Sequence, residues 1–478
     1  MGVMVNRKET WMNRRPPHSG RMLSAAIVLL AIAASIAGGQ RAELERSIRR
    51  AVLANGLEVI VVENHGVPLA TVEIDVRNGS FTQDSGYEGL AHMYEHMFFR
   101  ADSDYPEPDA FPQRASALGA NFNGSTQEER VNYYLTLPSD SLDAGMRLMA
   151  SAVMKPLFRE DELDRERAVV IGEYDRDQST PGFAFQRAMG RALWGAAWPR
   201  KDPLGERGAI LSTTPAQMRK IQHRYYVPNN SALIVAGDVD PNGVFDAARR
   251  IFGAWPRGAD PFKSWPIPPV PPLPHDTGVL AEEPISTAVV MFQWQGPSVS
   301  KDPASTYAAD VFSDVLNQPG SRLQRRLVDT GLFESLGVNY YTQNHVGPIT
   351  ISGETSPAHV REAITALESE IRAFADSGYF STAELDPVKR QRIVGTMFGL
   401  ERASGFAHQL GFWWAVTGLN YYLGYVDAMA HETVPDLQRY ARRYIVSQPH
   451  VRGVLIDRDA NRTIRLSAEE LTHWGARH

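Results

Sequence analysis

The feature that most limits how this chain can fold is a duplication. A proline-dense run, WPRGADPFKSWPIPPVPPLP (255–274), lies near the middle, and the stretches on its two sides repeat one another in order. PLATVEIDVRNGS (68–80) alternates as a strand does and is matched by PISTAVVMFQWQGPS (284–298). LFREDELDRER (157–167) is matched by YFSTAELDPVK (379–389), and HRYYVPNNSALIVAGD (223–238) by ARRYIVSQPHVRGVLID (441–457). Each pair is separated by about 220 residues, a period that fits a duplicated domain and not a solenoid. Proline has no amide donor and a fixed φ, so the run between the copies predicts an extended, semi-rigid connector without helix or sheet ladder.

Each half opens with alternating strands, continues through helical patterns such as 141–154 and 360–375, and closes with a strand. That order predicts an α+β fold with two homologous domains, 46–254 and 275–470, each a mainly antiparallel sheet with helices packed on one face. Asn55–Gly56, between apolar runs, predicts a tight turn.

Hydrophobic residues make up 43% of the 478 and charged residues 22%, which excludes a disordered chain, a collagen-like fibre and a multi-span membrane protein. The balance of 49 basic against 55 acidic residues, −6, gives no sign of a nucleic-acid partner. Cysteine is absent, so any metal must be held by His, Asp or Glu. Residues 1–37 join a basic stretch to an uncharged run, LSAAIVLLAIAASIA, of 15 residues. This reads as a secretory signal peptide, or else an uncleaved N-terminal anchor, and is the only route to a membrane. Export to the periplasm or another extracytoplasmic space is the expectation.

GLAHMYEHMFF (89–99) contains His92-x-x-Glu95-His96. On a helix, residues i and i+4 share one face, so the two imidazoles can take one metal ion while Glu95 borders the same face and reaches a water. A catalytic zinc needs a third protein ligand and one open position. Candidates lie in ELDRERAVVIGEYDRD (162–177), where Glu166 and Glu173 stand two helical turns apart on one face; periodicity alone does not choose between them. Manganese or cobalt would also suit such ligands. Trp413–Trp414 and Tyr421–Tyr422 read as core or interface aromatics, and His408 and His431 have no ligand-spaced partner.

At this point the chain resembles the pitrilysin/insulinase family of zinc metallopeptidases, the inverzincins, and most closely their short-chain branch, which includes the mitochondrial processing peptidase and bacterial homologues. LANGLEVIVVENHGVPLATVEIDVRNGS (53–80), GLAHMYEHMFF, LGANFNGSTQEERVNYYLTLP (118–138), ELDRERAVVIGEYDRD and RYYVPNNSALIVAGDVD (224–240) carry the likeness, which spans about residues 48–470. The resemblance implies one Zn2+ per chain on His92, His96 and Glu173, with Glu95 as general base and Glu166 orienting a ligand. It also implies that Ala120, Asn121, Phe122, Asn123, Gly124, Ser125 and Thr126 form an edge strand that pairs with the substrate backbone.

The second half lacks this equipment. Ala309, Phe312 and Ser313 stand where the first half has His92, Glu95 and His96, and Gly395 stands opposite Glu173. The family's C-terminal domains often carry an Arg and a Tyr near the scissile carbonyl; here, in RLVDTGLFES (326–335), Val328 and Glu334 or Ser335 take those places. The expected function is zinc-dependent hydrolysis of peptides or unfolded segments inside a chamber built by a dimer. A heterodimer is preferred, its homologous partner supplying the Arg/Tyr pair. A non-catalytic assembly subunit and a dedicated precursor-processing peptidase are the rivals.

Overall fold

The computed structural model describes residues 45–475. The segment expected to direct export, residues 1–37, lies outside them. Two sheets form the framework. The first takes β1 (Ile48–Val52), β2 (Glu58–Glu63), β3 (Leu69–Val76), β4 (Asn121–Thr126), β5 (Val131–Pro138) and β6 (Ser231–Gly237) in the order β1-β2-β6-β3-β5-β4. The second takes β7 (Thr277–Glu282), β8 (Ala288–Gln295), β9 (Ser335–Tyr340), β10 (Pro348–Thr355) and β11 (Val451–Ile456) in the order β7-β11-β8-β10-β9. Without β1 the two orders are the same path, down to one parallel pair in each: β2 with β6, and β7 with β11. All other neighbours are antiparallel. The repeat seen in the sequence is thus a repeat of topology, and the fold is α+β.

Each half packs its own helices on one face of its sheet. In the first, Val59, Val61, Val72 and Ile74 meet Met93 and Met97 of helix Leu90–Phe98 and Met146 and Met149 of helix Leu142–Met154. In the second, Val290, Phe292 and Ile351 meet Phe312 of helix Pro303–Asn317 and Ile364 of helix Val360–Ala373.

The opposite faces are covered by exchange. Helix Ala403–Val416, from the second half, lays Phe406, Ala407, Leu410 and Trp414 on Ile60, Val62, Ile234 and Ala236 of the first sheet. Helix Phe183–Trp194, from the first half, lays Phe185, Met189 and Leu193 on Val279, Met291, Val451 and Leu455 of the second. A large apolar side chain so buried contributes about 1.5–3 kcal/mol, so each exchanged helix is a substantial bond between the halves.

The connector departs from expectation at one place. Pro261–Ser264 forms a single helical turn, with the Asp260 carboxylate accepting the amides of Phe262 and Lys263. Proline is excluded from helix interiors but not from the first helical position, where its missing N–H has no helical partner to lose.

Candidate metal centre

Helix Leu90–Phe98 is amphipathic in a way that sorts its residues by role. Leu90, Ala91, Met93, Tyr94, Met97 and Phe98 are buried, leaving His92, Glu95 and His96 together on the partly open face. Tyr94 stacks on Tyr226 at 3.8 Å and Phe98 on Tyr133 at 3.6 Å, which fixes the helix against the sheet. The helix lacks a side-chain cap at Gly89; instead Gln83 Oε1 accepts the amides of Gly89 and Ala91 at 3.0 and 3.3 Å.

The glutamate-rich segment forms helix Glu160–Gln178 alongside it. His92 Nε2 and His96 Nε2 lie 3.3 Å apart, and Glu173 Oε2 lies 3.6 Å from each. Among the described residues these three form the one group of His, Asp or Glu donors that could hold a metal. A tetrahedral zinc bound at about 2.0–2.1 Å separates its donors by about 3.3–3.4 Å, so the donor set fits zinc. Burial, then the neighbouring His96, lowers His92 to about 4, which keeps it in the neutral form a metal requires.

Glu166 does not join the three. Its Oε2 lies 3.1 Å from His96 Nδ1, and its Oε1 takes Arg100 Nη2 at 2.6 Å. Arg100 also reaches Asp109 at 2.8 Å. The seven-residue spacing put both glutamates on one face; the structure separates them, with Glu173 at the two Nε2 atoms and Glu166 behind the ring of His96. Arg100 was missed in the sequence, although it stands four residues after His96, just past the end of the helix.

Strand β4 passes beside Glu95. Thr126 Oγ1 donates to Glu95 Oε2 at 2.7 Å, and a Cβ on Gly124 would lie 2.9 Å from Glu95 Cγ, so glycine permits this approach. Burial raises the Glu95 carboxyl, opposed by the Thr126 hydrogen bond. Ala120 precedes the strand. Phe122, Gly124 and Thr126 face the helix, with Phe122 against Phe99 and Phe111, while Asn121, Asn123 and Ser125 are exposed on the other side. Asn123 Oδ1 accepts the amide of Gly124 at 2.9 Å. Among the described residues β4 pairs only with β5 and leaves its other edge free.

In the second half Ala309 and Phe312 are fully buried and Ser313 nearly so, its hydroxyl bonded to Ala309 O. Val328 follows helix Arg322–Leu327 and Ser335 opens β9; Arg326 pairs with Glu370 at 2.8 Å. Tyr340 donates to Pro297 O at 3.1 Å and is buried.

A duplicated α+β fold with His-x-x-Glu-His on one helix and a glutamate on the helix beside it defines a class of metallopeptidase-like proteins. The comparisons make the family specific. The profile described as insulinase (peptidase family M16) matches residues 58–202, and that of the peptidase M16 inactive domain matches 212–392. The chain belongs to the M16 family, the insulinase/pitrilysin family. It is 26% identical to the zinc protease PqqE of Helicobacter pylori over 408 residues, which cover 82% of this chain and 89% of that one. It is 22% identical to the probable zinc protease PqqL of Escherichia coli over 354 residues, 72% of this chain but 38% of that protein. Among solved structures, a protease from Helicobacter pylori superposes with a TM-score of 0.75 at 22% identity, covering 86% of this chain and 99% of that one. The periplasmic protease PqqL from Escherichia coli superposes with a TM-score of 0.74 at 18% identity, covering 89% and 49%.

Proposed function

We propose that the protein is a zinc endopeptidase that hydrolyses peptides or unfolded segments held against β4. The observation that carries this is the convergence of the His92, His96 and Glu173 donors within 3.3–3.6 Å, beside a free strand edge that holds the carboxylate of Glu95. The three residues would hold one zinc ion. When bound, zinc supplies a Lewis acid that activates water and polarises a carbonyl.

The chain's own residues do the rest. The free edge of Asn121–Thr126 offers amides and carbonyls to a peptide backbone regardless of its side chains, so varied sequences can be aligned. Thr126 anchors Glu95 through Oε2, leaving Oε1 to take the proton of the attacking water and pass it to the departing amine. Glu166 holds the His96 ring from its Nδ1 side, with Arg100 holding Glu166 in turn.

The working unit in this reading is a dimer, with a homologous second subunit favoured, because this chain carries Val328 where family C-terminal domains often carry arginine. Its place is exported, periplasmic or membrane-anchored through residues 1–37. The apolar run there supports this, as does the periplasmic description of the PqqL relative; no helix among the described residues is long and apolar enough to cross a membrane.

The test is metal content and cleavage of a quenched fluorescent peptide, wild type beside Glu95→Gln, with and without a candidate partner. Wild type should bind about one zinc and cleave, and Glu95→Gln should bind zinc and lose on the order of 10²–10⁴ in rate. A wild type that holds zinc yet cleaves no peptide, even with partner, would make the scaffold reading the better one.

A further inference from the structure

We infer that the second half of the chain, which gives no donor to the metal centre, positions the substrate strand, and that His408 is the positioning residue. The inference rests on the peptidase reading above.

Strand β4 needs help to stay straight. It has one neighbour, and its sequence, NFNGST, contains one glycine and two asparagines, residues that favour turns over strands. The side chain of Ser125 supplies the first link: its Oγ donates to Asn132 Oδ1 on β5 at 2.5 Å. Asn132 Nδ2 donates to Glu73 Oε1 on β3 at 2.7 Å. Glu73 Oε2 meets His408 Nδ1 at 2.5 Å. Three successive hydrogen bonds thus join the exposed face of the edge strand to the exchanged helix Ala403–Val416. The ring of His408 also lies 4.3 Å from that of Tyr134, which opposes Asn123 in the β4–β5 ladder.

The charges explain why the link is needed. Glu73 and Asp75 are both fully buried on β3, and one guanidinium, Arg130, lies between them and bonds to each. Arg130 and Asn132 both donate to Glu73 Oε1, which leaves its buried Oε2 without a donor, a costly state unless another arrives. His408 brings that donor to Glu73. Gly411, one turn further along the same helix, lets the backbone lie flat on Asp75: a Cβ there would lie 2.3 Å from Asp75 Oδ2.

The same hairpin is held at its turn. Buried Glu129 accepts the amides of Asn344 and His345 at 2.6 and 2.9 Å and meets His345 Nδ1 at 2.6 Å, all from the second half. Lys201 binds the same loop through Gln343 and Val346 O. The β4–β5 hairpin is therefore gripped by the second half at both its turn and its open face.

The experiment compares the full-length, zinc-loaded chain with His408→Phe, which keeps the ring against Tyr134 but removes the donor, and with His408→Gln, which restores a donor. For a peptide long enough to pair along β4, His408→Phe should raise KM about tenfold, the worth of a charge-assisted hydrogen bond, with kcat within about twofold and zinc content unchanged. His408→Gln should recover most of the loss. Hydrogen exchange of the Asn121–Thr126 amides should quicken in His408→Phe and recover in His408→Gln. Wild-type KM and exchange in His408→Phe would overturn the inference. So would an equal fall in kcat and zinc content in both variants with KM unchanged, the mark of a general folding defect. A wild type that cleaves nothing would sink the peptidase reading, while the exchange rates of β4 would still decide whether His408 braces the strand.

Discussion

At the residue scale, the centre depends on which atoms stand behind the donors. Glu166 and Arg100 touch no substrate-facing atom, yet they fix the ring of His96. Arg100→Leu should therefore weaken zinc binding by about 10–100-fold while leaving the fold intact, read by competition with a chelator. Glu173→Gln should lose far more, because it exchanges the one anionic donor of the three for a weakly ligating neutral amide. The sequence already pointed to His92, Glu95 and His96, since helical spacing brings i and i+4 together without help from the rest of the fold. It could not separate Glu166 from Glu173 by period alone, because both share a stripe and only the approach of the neighbouring helix sets which carboxylate reaches the Nε2 atoms.

At the element scale, β4 and the exchanged helix Ala403–Val416 are the sensitive pieces. Gly124→Val should push Glu95 away, since even a Cβ meets its Cγ at 2.9 Å. Peptide cleavage should fall at least tenfold with little change in the melting temperature, the contact being with a half-buried side chain at the metal centre and not in the core. The buried cluster beneath the exchanged helix gives a pH signature. Burial pushes Asp75 up to about 8, against the pull of Arg130. A carboxyl whose folded pKa lies above its unfolded value binds more protons in the folded state. Its contribution to stability is therefore present below about pH 4 and is lost as pH rises towards 8. Asp75→Asn should flatten that decline, seen as a urea midpoint less dependent on pH between 5 and 8. Glu73, Arg130 and His408 are the charged and titratable groups that share this cluster and remain in the variant.

At the scale of the whole molecule, the two halves are bound by mutual cover rather than by the connector. Each lends the other a helix, and the apolar faces beneath, Ile60, Val62, Ile234 and Ala236 on one side, Val279, Met291 and Leu455 on the other, would otherwise meet water. Residues 45–254 expressed alone should be insoluble, and co-expression with 275–475 should restore a soluble pair. A nick within 266–272 should leave one complex with unchanged zinc content on gel filtration.

What the sequence by itself determined was local or periodic: the His-x-x-Glu-His face, the duplication and the strands that repeat, the missing donors at Ala309, Phe312 and Ser313. These are legible because a turn of helix or an alternation of strand is completed within a few residues. The edge position of residues 120–126 and the choice of Glu173 over Glu166 came from the family resemblance and not from period, and only the tertiary structure decided that His408 meets Glu73 across 335 residues of chain. Sequence reading gave His408 no partner, since nothing near it in the chain marks one. The physical reason is that a buried carboxylate finds its donor through packing, and packing brings together residues that no spacing rule connects.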